Sequence, residues 1–289
     1  MSAPRWLDRT EFPFSPRSVD VGDGALSVTD VGQGPAVLFS HGTPTWSLEW
    51  RHLVRGLSGQ FRCLAPDHLG FGLSPRPAGA DYRPEAHARR FRRLVEALGL
   101  ERYHLVVHDF GGPIALDGAL DEPGRLDRLV VFNSFLWPFT DQPRTRRMAR
   151  LAGGGLFRWL YRNVNLSFVI SRSAWGAGPR PPEVWRQYTQ VFPDADSREQ
   201  VLWALARSLE ASTPFFRSLW ERRERLADTP VHLVWGLADT AFGPDALARF
   251  REAWPRATVA ELPRAGHWPH EEEPERCLEE VRGFLLGGR

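Results

Sequence analysis

Cysteine, long apolar runs and lysine are scarce or missing in this chain of 289 residues. The two cysteines, Cys63 and Cys277, form neither a disulfide framework nor the paired spacing of a metal site, which favours a reducing compartment. No stretch reaches the ~18 apolar residues needed to span a bilayer, and the first residues lack the apolar segment of a signal peptide. We therefore expect a cytoplasmic protein with no structural metal.

Because lysine is absent, arginine supplies all 37 basic charges against 35 acidic ones, and the formal net charge is only +2. Arginine runs at 89–93 and 144–150 are compatible with a nucleic acid or an acidic membrane surface as partner. The first run surrounds an apolar row at helical spacing, so its arginines fit the solvated face of a helix. We expect neither a nucleic-acid partner nor a membrane partner.

Segments typical of strands and helices alternate along most of the chain. Expected strands lie at 25–31, 36–40, 61–66, 103–108, 129–133, 231–235 and 258–262, and expected helices at 47–57, 83–98, 112–120, 244–254 and 274–286. Repeated βα units form a mostly parallel sheet with helices on both faces. From 135 to about 228 the alternation stops, and tryptophan, arginine and helical spacing dominate. We predict an α/β core built from 1–135 and 229–289, with 136–228 inserted as a helical cap.

The stretch His108-Asp109-Phe110-Gly111-Gly112 follows an apolar strand and precedes a helix. A strand that turns sharply into a helix exposes its turn residue at the rim of the sheet, and the tight backbone needs glycine neighbours. The turn residue here is Asp109, whose carboxylate is ionised at neutral pH and needs no base to act as a nucleophile. Taken alone, Asp109 could equally cap the following helix.

Two further residues stand just past strand ends, where open α/β sheets bind their ligands. Asp239 follows the strand at 231–235, and His267 lies in the loop after the strand at 258–262. Asp239 can accept a hydrogen bond from Nδ1 of His267 and so direct Nε2 at the site. Each residue alone fits a turn or surface role, but nucleophile, acid and histidine occur in the chain order expected for an elbow on such a sheet.

Four motifs together resemble the haloalkane dehalogenases of the α/β-hydrolase superfamily. They are His41-Gly42-Thr43-Pro44-Thr45-Trp46-Ser47, Asp67-His68-Leu69-Gly70-Phe71-Gly72-Leu73-Ser74, His108-Asp109-Phe110-Gly111-Gly112 and the loop around His267. The resemblance covers nearly all of the core and implies an α/β-hydrolase fold that needs no cofactor.

In that family the aspartate matching Asp109 displaces halide to form an alkyl ester, and the histidine matching His267 activates the water that hydrolyses it. The resemblance implies an oxyanion hole made by the backbone N–H groups of Thr43 and Phe110. One branch of the family places its acid where this chain has Asn133, whereas this chain resembles the branches that use the position of Asp239.

The sequence departs from the family where the leaving halide is held. The tryptophan that usually follows the nucleophile is Phe110 here, and the asparagine found in some branches is Thr43; phenylalanine has no N–H to donate, whereas a halide leaving in a dry pocket needs donors. A cap tryptophan can replace the missing donor, and Trp175 is the best placed by type. The residues we assign to the substrate and halide pocket are Trp175, Trp137, Phe216 and Trp268.

Two alternatives stay open. An epoxide hydrolase uses the same nucleophile but needs acids over it, normally two cap tyrosines, and here a Phe215-Phe216 pair stands where a tyrosine is expected. A catalytically silent fold that binds a small apolar ligand is the second alternative. We predict a monomeric hydrolase whose partners are a small halogenated substrate and water.

Overall fold

The structure is a computed structural model that describes residues 4–287. Its strands are β1 (Arg17–Asp20), β2 (Ala25–Val31), β3 (Ala36–Ser40), β4 (Arg62–Pro66), β5 (Tyr103–Asp109), β6 (Leu126–Ser134), β7 (Val231–Gly236) and β8 (Thr258–Leu262). They form one eight-stranded sheet in the order β1-β2-β4-β3-β5-β6-β7-β8. β2 pairs antiparallel with β1 and β4, and every later pairing is parallel.

The central strands are buried on both faces. Every residue of β5 and of β7 is buried. Along β5, Leu105 and Val107 belong to the larger apolar cluster and Val106 to the second one, because successive side chains point to opposite faces of a sheet. A parallel sheet covered on both faces explains why these strands read as continuous apolar runs, and the predicted α/β-hydrolase architecture is confirmed.

Helices cover both faces of the sheet and fill the interval between β6 and β7. They are α1 (Arg51–Leu57), α2 (Pro84–Ala97), α3 (Gly111–Asp121), α4 (Pro143–Ala152), α5 (Gly155–Val164), α6 (Leu166–Ser173), α7 (Pro182–Thr189), α8 (Ala195–Ser197), α9 (Ala204–Ala211), α10 (Thr213–Arg222), α11 (Pro244–Ala253), α12 (Pro269–Glu272) and α13 (Pro274–Leu285). No helix within 4–287 is both long and apolar enough to cross a membrane.

The differences from the predicted elements are local. The helix expected at 47–57 begins as a 3₁₀ turn at Ser47–Trp50 before α1, and the strand expected at 129–133 extends over all of β6. β1 was not predicted, because its four residues expose three side chains and carry too little apolar pattern.

Helices and one π-helical turn, Arg198–Trp203, are the regular elements between β6 and β7. This interval corresponds to the segment in which the sequence shows no strand pattern. We retain the division into a core of 1–135 and 229–289 and a cap of 136–228 as our proposal.

Candidate active site

The turn from β5 into α3 holds Asp109 in a left-handed conformation with φ of 49°. A non-glycine residue rarely adopts this backbone, and such strain concentrates at functional sites. Two glycines make the turn sterically feasible. A Cβ at Gly111 would lie 2.0 Å from the carbonyl oxygen of Ser40, and a Cβ at Gly42 would lie 2.3 Å from Asp109 Oδ1. The elbow predicted from the sequence therefore exists, and it places the carboxylate at the carboxyl edge of the sheet.

Two backbone N–H groups converge on the Asp109 carboxylate. The N–H of Thr43 donates to Oδ1 over 2.8 Å, and the N–H of Phe110 also contacts the carboxylate. These are the two groups assigned to the oxyanion hole, and the structure brings both to the carboxylate of Asp109. Oδ2 lies 3.7 Å from Nε2 of His267.

His267 lies between two carboxylates. Its Nδ1 is 2.8 Å from Oδ2 of Asp239, while its Nε2 faces Asp109. Asn133 holds the acid in place by donating from Nδ2 to the same Asp239 oxygen over 2.9 Å, and its Oδ1 accepts from the N–H of Gly236. The three residues predicted as a triad are thus adjacent, and Asn133 positions the acid from the neighbouring strand.

The charges of this group are strongly coupled. Burial lowers the pKa of His267, but the carboxylates of Asp239 and Asp109 outweigh it and raise the pKa to about 9. Burial raises the pKa of Asp109 above its ordinary value, against the lowering effect of His267. For Asp239 burial acts in the same direction, yet the contact with His267 prevails and the pKa is lowered. The free enzyme therefore holds an imidazolium between two carboxylates near neutral pH.

The side chains of Asp109 and His267 are buried but keep a small exposed surface. The side chain of Asp109 keeps 8% of its surface exposed and that of His267 keeps 6%. This residual exposure separates the pair from fully buried structural carboxylates such as Glu49, whose side chain is 0% exposed.

Aromatic and hydroxyl side chains surround the nucleophile. Phe110 packs edge-on against Phe135, with ring centroids 5.1 Å apart, and its centroid lies 6.5 Å from that of Phe216. The hydroxyl of Thr43 is buried without a hydrogen-bond partner among residues 4–287. Burial and the charge of Asp109 together raise the pKa of Tyr161 on α5, which places that phenol within electrostatic reach of the nucleophile. Phe216 thus lies beside the site as predicted, and Tyr161 is an addition.

The three tryptophans assigned to the pocket have different surroundings. Trp268 packs edge-on against His267 with centroids 4.6 Å apart. Its indole N–H is buried and has no partner in the described part of the chain. Trp175 stacks on Trp268 and donates its indole N–H to the carbonyl of Gly178 over 3.2 Å, so a halide would have to compete for that donor.

Trp137 packs with Trp220 and Phe250 beneath the guanidinium of Arg249. Its aromatic contacts therefore lie with α10 and α11 rather than with the triad. The structure brings Trp268 and Phe216 to the site, engages the donor of Trp175 elsewhere, and gives Trp137 a packing role.

A buried cluster beneath His267 was missed by the sequence analysis. Nδ1 of His108 lies 3.4 Å from Oε2 of Glu49, and Nε2 of His270 lies 3.8 Å from the same oxygen. Nε2 of His108 donates to the backbone carbonyl of His267 over 2.8 Å. Burial raises the pKa of Glu49, but His108 and His270 outweigh it and keep the pKa below the ordinary value. The ionised carboxylate of Glu49 is therefore enclosed by two imidazoles. One of them, His108, is hydrogen-bonded to the backbone of the loop that carries His267.

The ligand atoms of Glu49, His108 and His270 lie within 4.8 Å of one another, and these residue types do bind metals. We interpret the cluster as a buried polar contact, because two imidazoles face the Glu49 carboxylate and one of them is engaged by the His267 carbonyl. No local pattern marks it, since Glu49 in the 3₁₀ turn and His270 on α12 are more than 200 residues apart in the chain.

Comparison with known proteins identifies the family of this fold. The family model for the alpha/beta hydrolase fold matches residues 35–274. The chain is 34% identical over 267 residues to haloalkane dehalogenase 2 of Mycobacterium tuberculosis, covering 92% of this chain and 93% of the relative. It is 33% identical over 291 residues to a cis-3-alkyl-4-alkyloxetan-2-one decarboxylase of Xanthomonas campestris, covering 95% and 97% of the two chains.

A solved structure is also similar. The haloalkane dehalogenase DatA from Agrobacterium tumefaciens superimposes with a TM-score of 0.82 at 26% identity, over 94% of this chain and 96% of that one. The fold and the site define the class, and the chain belongs to the α/β-hydrolase family. Within that family it is a haloalkane dehalogenase-like member, as the sequence motifs predicted.

Proposed function

We propose that this protein hydrolyses small apolar halogenated alkanes through a covalent ester on Asp109. One observation carries the proposal: a carboxylate on a strained elbow accepts two backbone N–H groups and faces a histidine held by a second carboxylate. A structural N-cap aspartate needs neither the left-handed backbone nor the histidine opposite it.

The first step uses the carboxylate oxygen that does not accept the Thr43 N–H. Oδ2 of Asp109 attacks the sp³ carbon opposite the halogen, the C–O bond forms, and the halide leaves with the bonding electron pair. The Thr43 N–H holds Oδ1 and so orients Oδ2 toward the substrate. No proton moves in this step, and His267 is not required for it.

The second step hydrolyses the ester. Nε2 of His267 removes a proton from water, and the oxygen attacks Cγ of Asp109, so negative charge develops on Oδ1 where Thr43 and Phe110 donate. Collapse breaks the bond between Cγ and the alkyl oxygen, the leaving oxygen takes the proton from Nε2 of His267 and departs as the alcohol, and the carboxylate of Asp109 is regenerated. Esterification also removes the Asp109 charge that helps to raise the pKa of His267, so the imidazole loses its proton more readily when it must act as a base.

The leaving group must be solvated by donors other than a tryptophan next to the nucleophile. The unpaired hydroxyl of Thr43 and the phenol of Tyr161 are the polar groups we assign to this role, together with the unpaired indole of Trp268. Halides accept hydrogen bonds from any of these, and because three donors share one anion, losing one of them should cost about 1 kcal/mol, less than tenfold in rate.

A second candidate function is the opening of a strained oxygen-containing ring. The residue that favours it is Tyr161. An alkoxide leaving group needs a proton, which a phenol can transfer and an indole cannot, whereas a halide needs none. One relative at 33% identity is named for an oxetan-2-one substrate, a ring of this kind. This candidate shares the nucleophile and differs in what Tyr161 does.

A turnover screen distinguishes the two. We expect halide release from bromo- and iodoalkanes and no turnover of matched epoxides, with Asp109→Asn as the inactive control. Tyr161→Phe is the discriminating variant, because dehalogenation should fall by about tenfold or less, while ring opening should fall by about 10²-fold or more. Turnover restricted to epoxides or oxetanones would replace the first candidate with the second, and no turnover in any panel would favour a silent binding fold.

A further inference from the structure

The outer surface of the cap exposes large apolar side chains. Eight large hydrophobic residues within 4–287 are exposed, and seven of them lie on or directly after α4, α5 and α6. We call these seven the cap outer face: Met148, Leu151, Leu156, Trp159, Val164, Val169 and Ile170, each between 45% and 69% exposed. Single exposed apolar residues are ordinary, but their concentration on three consecutive helices marks an interaction surface.

The same helices carry a strongly basic charge. From 142 to 182 the chain contains eight arginines and not one aspartate or glutamate. Some of them are neutralised from outside the segment, as Arg158 and Arg162 are by Glu199. Arg144, Arg147 and Arg172 are exposed, and within residues 4–287 none of the three has an ion-pair partner. Free positive charge therefore borders the exposed apolar residues.

The helix α5 links this surface to the site. Tyr161 faces inward, where the charge of Asp109 bears on it, while Leu156 and Trp159 on the same helix face outward. A surface on the outer side of a helix whose inner side faces the site is suited to deliver a substrate. Apolar alkyl compounds partition into lipid, so a bilayer is where such substrates accumulate.

We propose that the cap outer face docks on an anionic lipid bilayer, with its apolar side chains in the headgroup boundary and its unpaired arginines on the lipid phosphates; this revises the expectation from the sequence that the protein has no membrane partner. Amphipathic surfaces that combine exposed Leu, Trp and Val with arginine bind in this way. A second copy of the chain is a poorer partner, because a twofold contact would bring two sets of like-charged arginines together.

Vesicle sedimentation with the full-length protein tests the proposal. The wild type should sediment with vesicles of phosphatidylcholine and phosphatidylglycerol in equal parts, and not with phosphatidylcholine alone. Binding should weaken strongly at about 1 M salt, where the Debye length falls to about 3 Å. The double variant Arg144→Gln/Arg147→Gln should bind roughly 30-fold more weakly, about five- to sixfold per charge removed. Trp159→Ser should weaken binding without changing the charge.

The matched control removes the same charge elsewhere. Arg89 on α2 and Arg251 on α11 are exposed, and Arg89→Gln/Arg251→Gln should bind the anionic vesicles as the wild type does. Equal losses in both double variants, or no sedimentation with anionic vesicles, would overturn the proposal. Self-association of the wild type that Trp159→Ser abolishes would also overturn it and assign the face to a second copy. The readout is binding, so the result is independent of which reaction the site performs.

Discussion

The proton on His267 makes the stability of the protein depend on pH. Its pKa rises from 6.5 to about 9 on folding, because the carboxylates of Asp239 and Asp109 outweigh burial. A group whose pKa is raised by folding stabilises the native state fully below its unfolded pKa and loses that contribution as the pH rises through the folded pKa. At about 1.4 kcal/mol per pH unit, the shift corresponds to a contribution of about 3 kcal/mol that is present at pH 6 and lost by pH 10.

Denaturant unfolding of the wild type and His267→Gln between pH 6 and pH 10 measures this contribution. The wild type should lose about 3 kcal/mol more unfolding free energy over this range than the variant, since glutamine does not titrate. Groups outside the coupled cluster of Asp109, His267 and Asp239 cancel in the difference. His52→Gln is the matched control, because the pKa of His52 is lowered, chiefly by burial, so that residue has no proton-linked stabilisation to lose as the pH rises. Parallel curves for the wild type and His267→Gln would refute the charge assignment.

The remaining predictions concern single side chains. His267→Gln should accumulate the alkyl ester on Asp109, seen as a mass increase of the intact protein, because only hydrolysis requires the imidazole; rapid turnover by this variant would contradict the role of His267. Glu49→Gln should lower the free energy of unfolding by about 3 kcal/mol, the cost of leaving two buried imidazoles without their carboxylate partner, while the exposed Glu183→Gln should change it by less than about 0.5 kcal/mol; equal effects would show that the buried cluster does not stabilise the fold. Phe110→Trp should lower the inhibition constant of bromide by about tenfold, since it adds a donor to an anion; an unchanged constant would mean that existing donors already saturate the halide.

The sequence predicted those parts of the site that local backbone geometry determines. The elbow at Asp109 is marked by two adjacent glycines after an apolar strand, and the structure shows why, since a Cβ at Gly111 would collide with Ser40. The parallel sheet then brings the residues after β7 and β8 to the same edge, so Asp239 and His267 could be paired from their positions alone.

Residues whose role depends on how the cap packs could not be placed in this way. Trp175 was chosen by residue type, yet its N–H is engaged by Gly178, while Tyr161 lies within electrostatic reach of Asp109 and was not chosen. Glu49 and His270 meet beneath the site from opposite ends of the chain, and no spacing along the sequence encodes that contact. The direction of a side chain across a tertiary interface is set by packing, for which a single sequence has no local signal.

A single turnover in H₂¹⁸O, with the best substrate of the screen, tests the ester on Asp109 most directly. Attack of water on Cγ of Asp109 predicts that the peptide containing Asp109 gains ¹⁸O, while the released alcohol and the peptide containing Asp239 remain unlabelled. If ¹⁸O entered the alcohol and Asp109 stayed unlabelled, water would have attacked the substrate directly, and the covalent mechanism would be wrong.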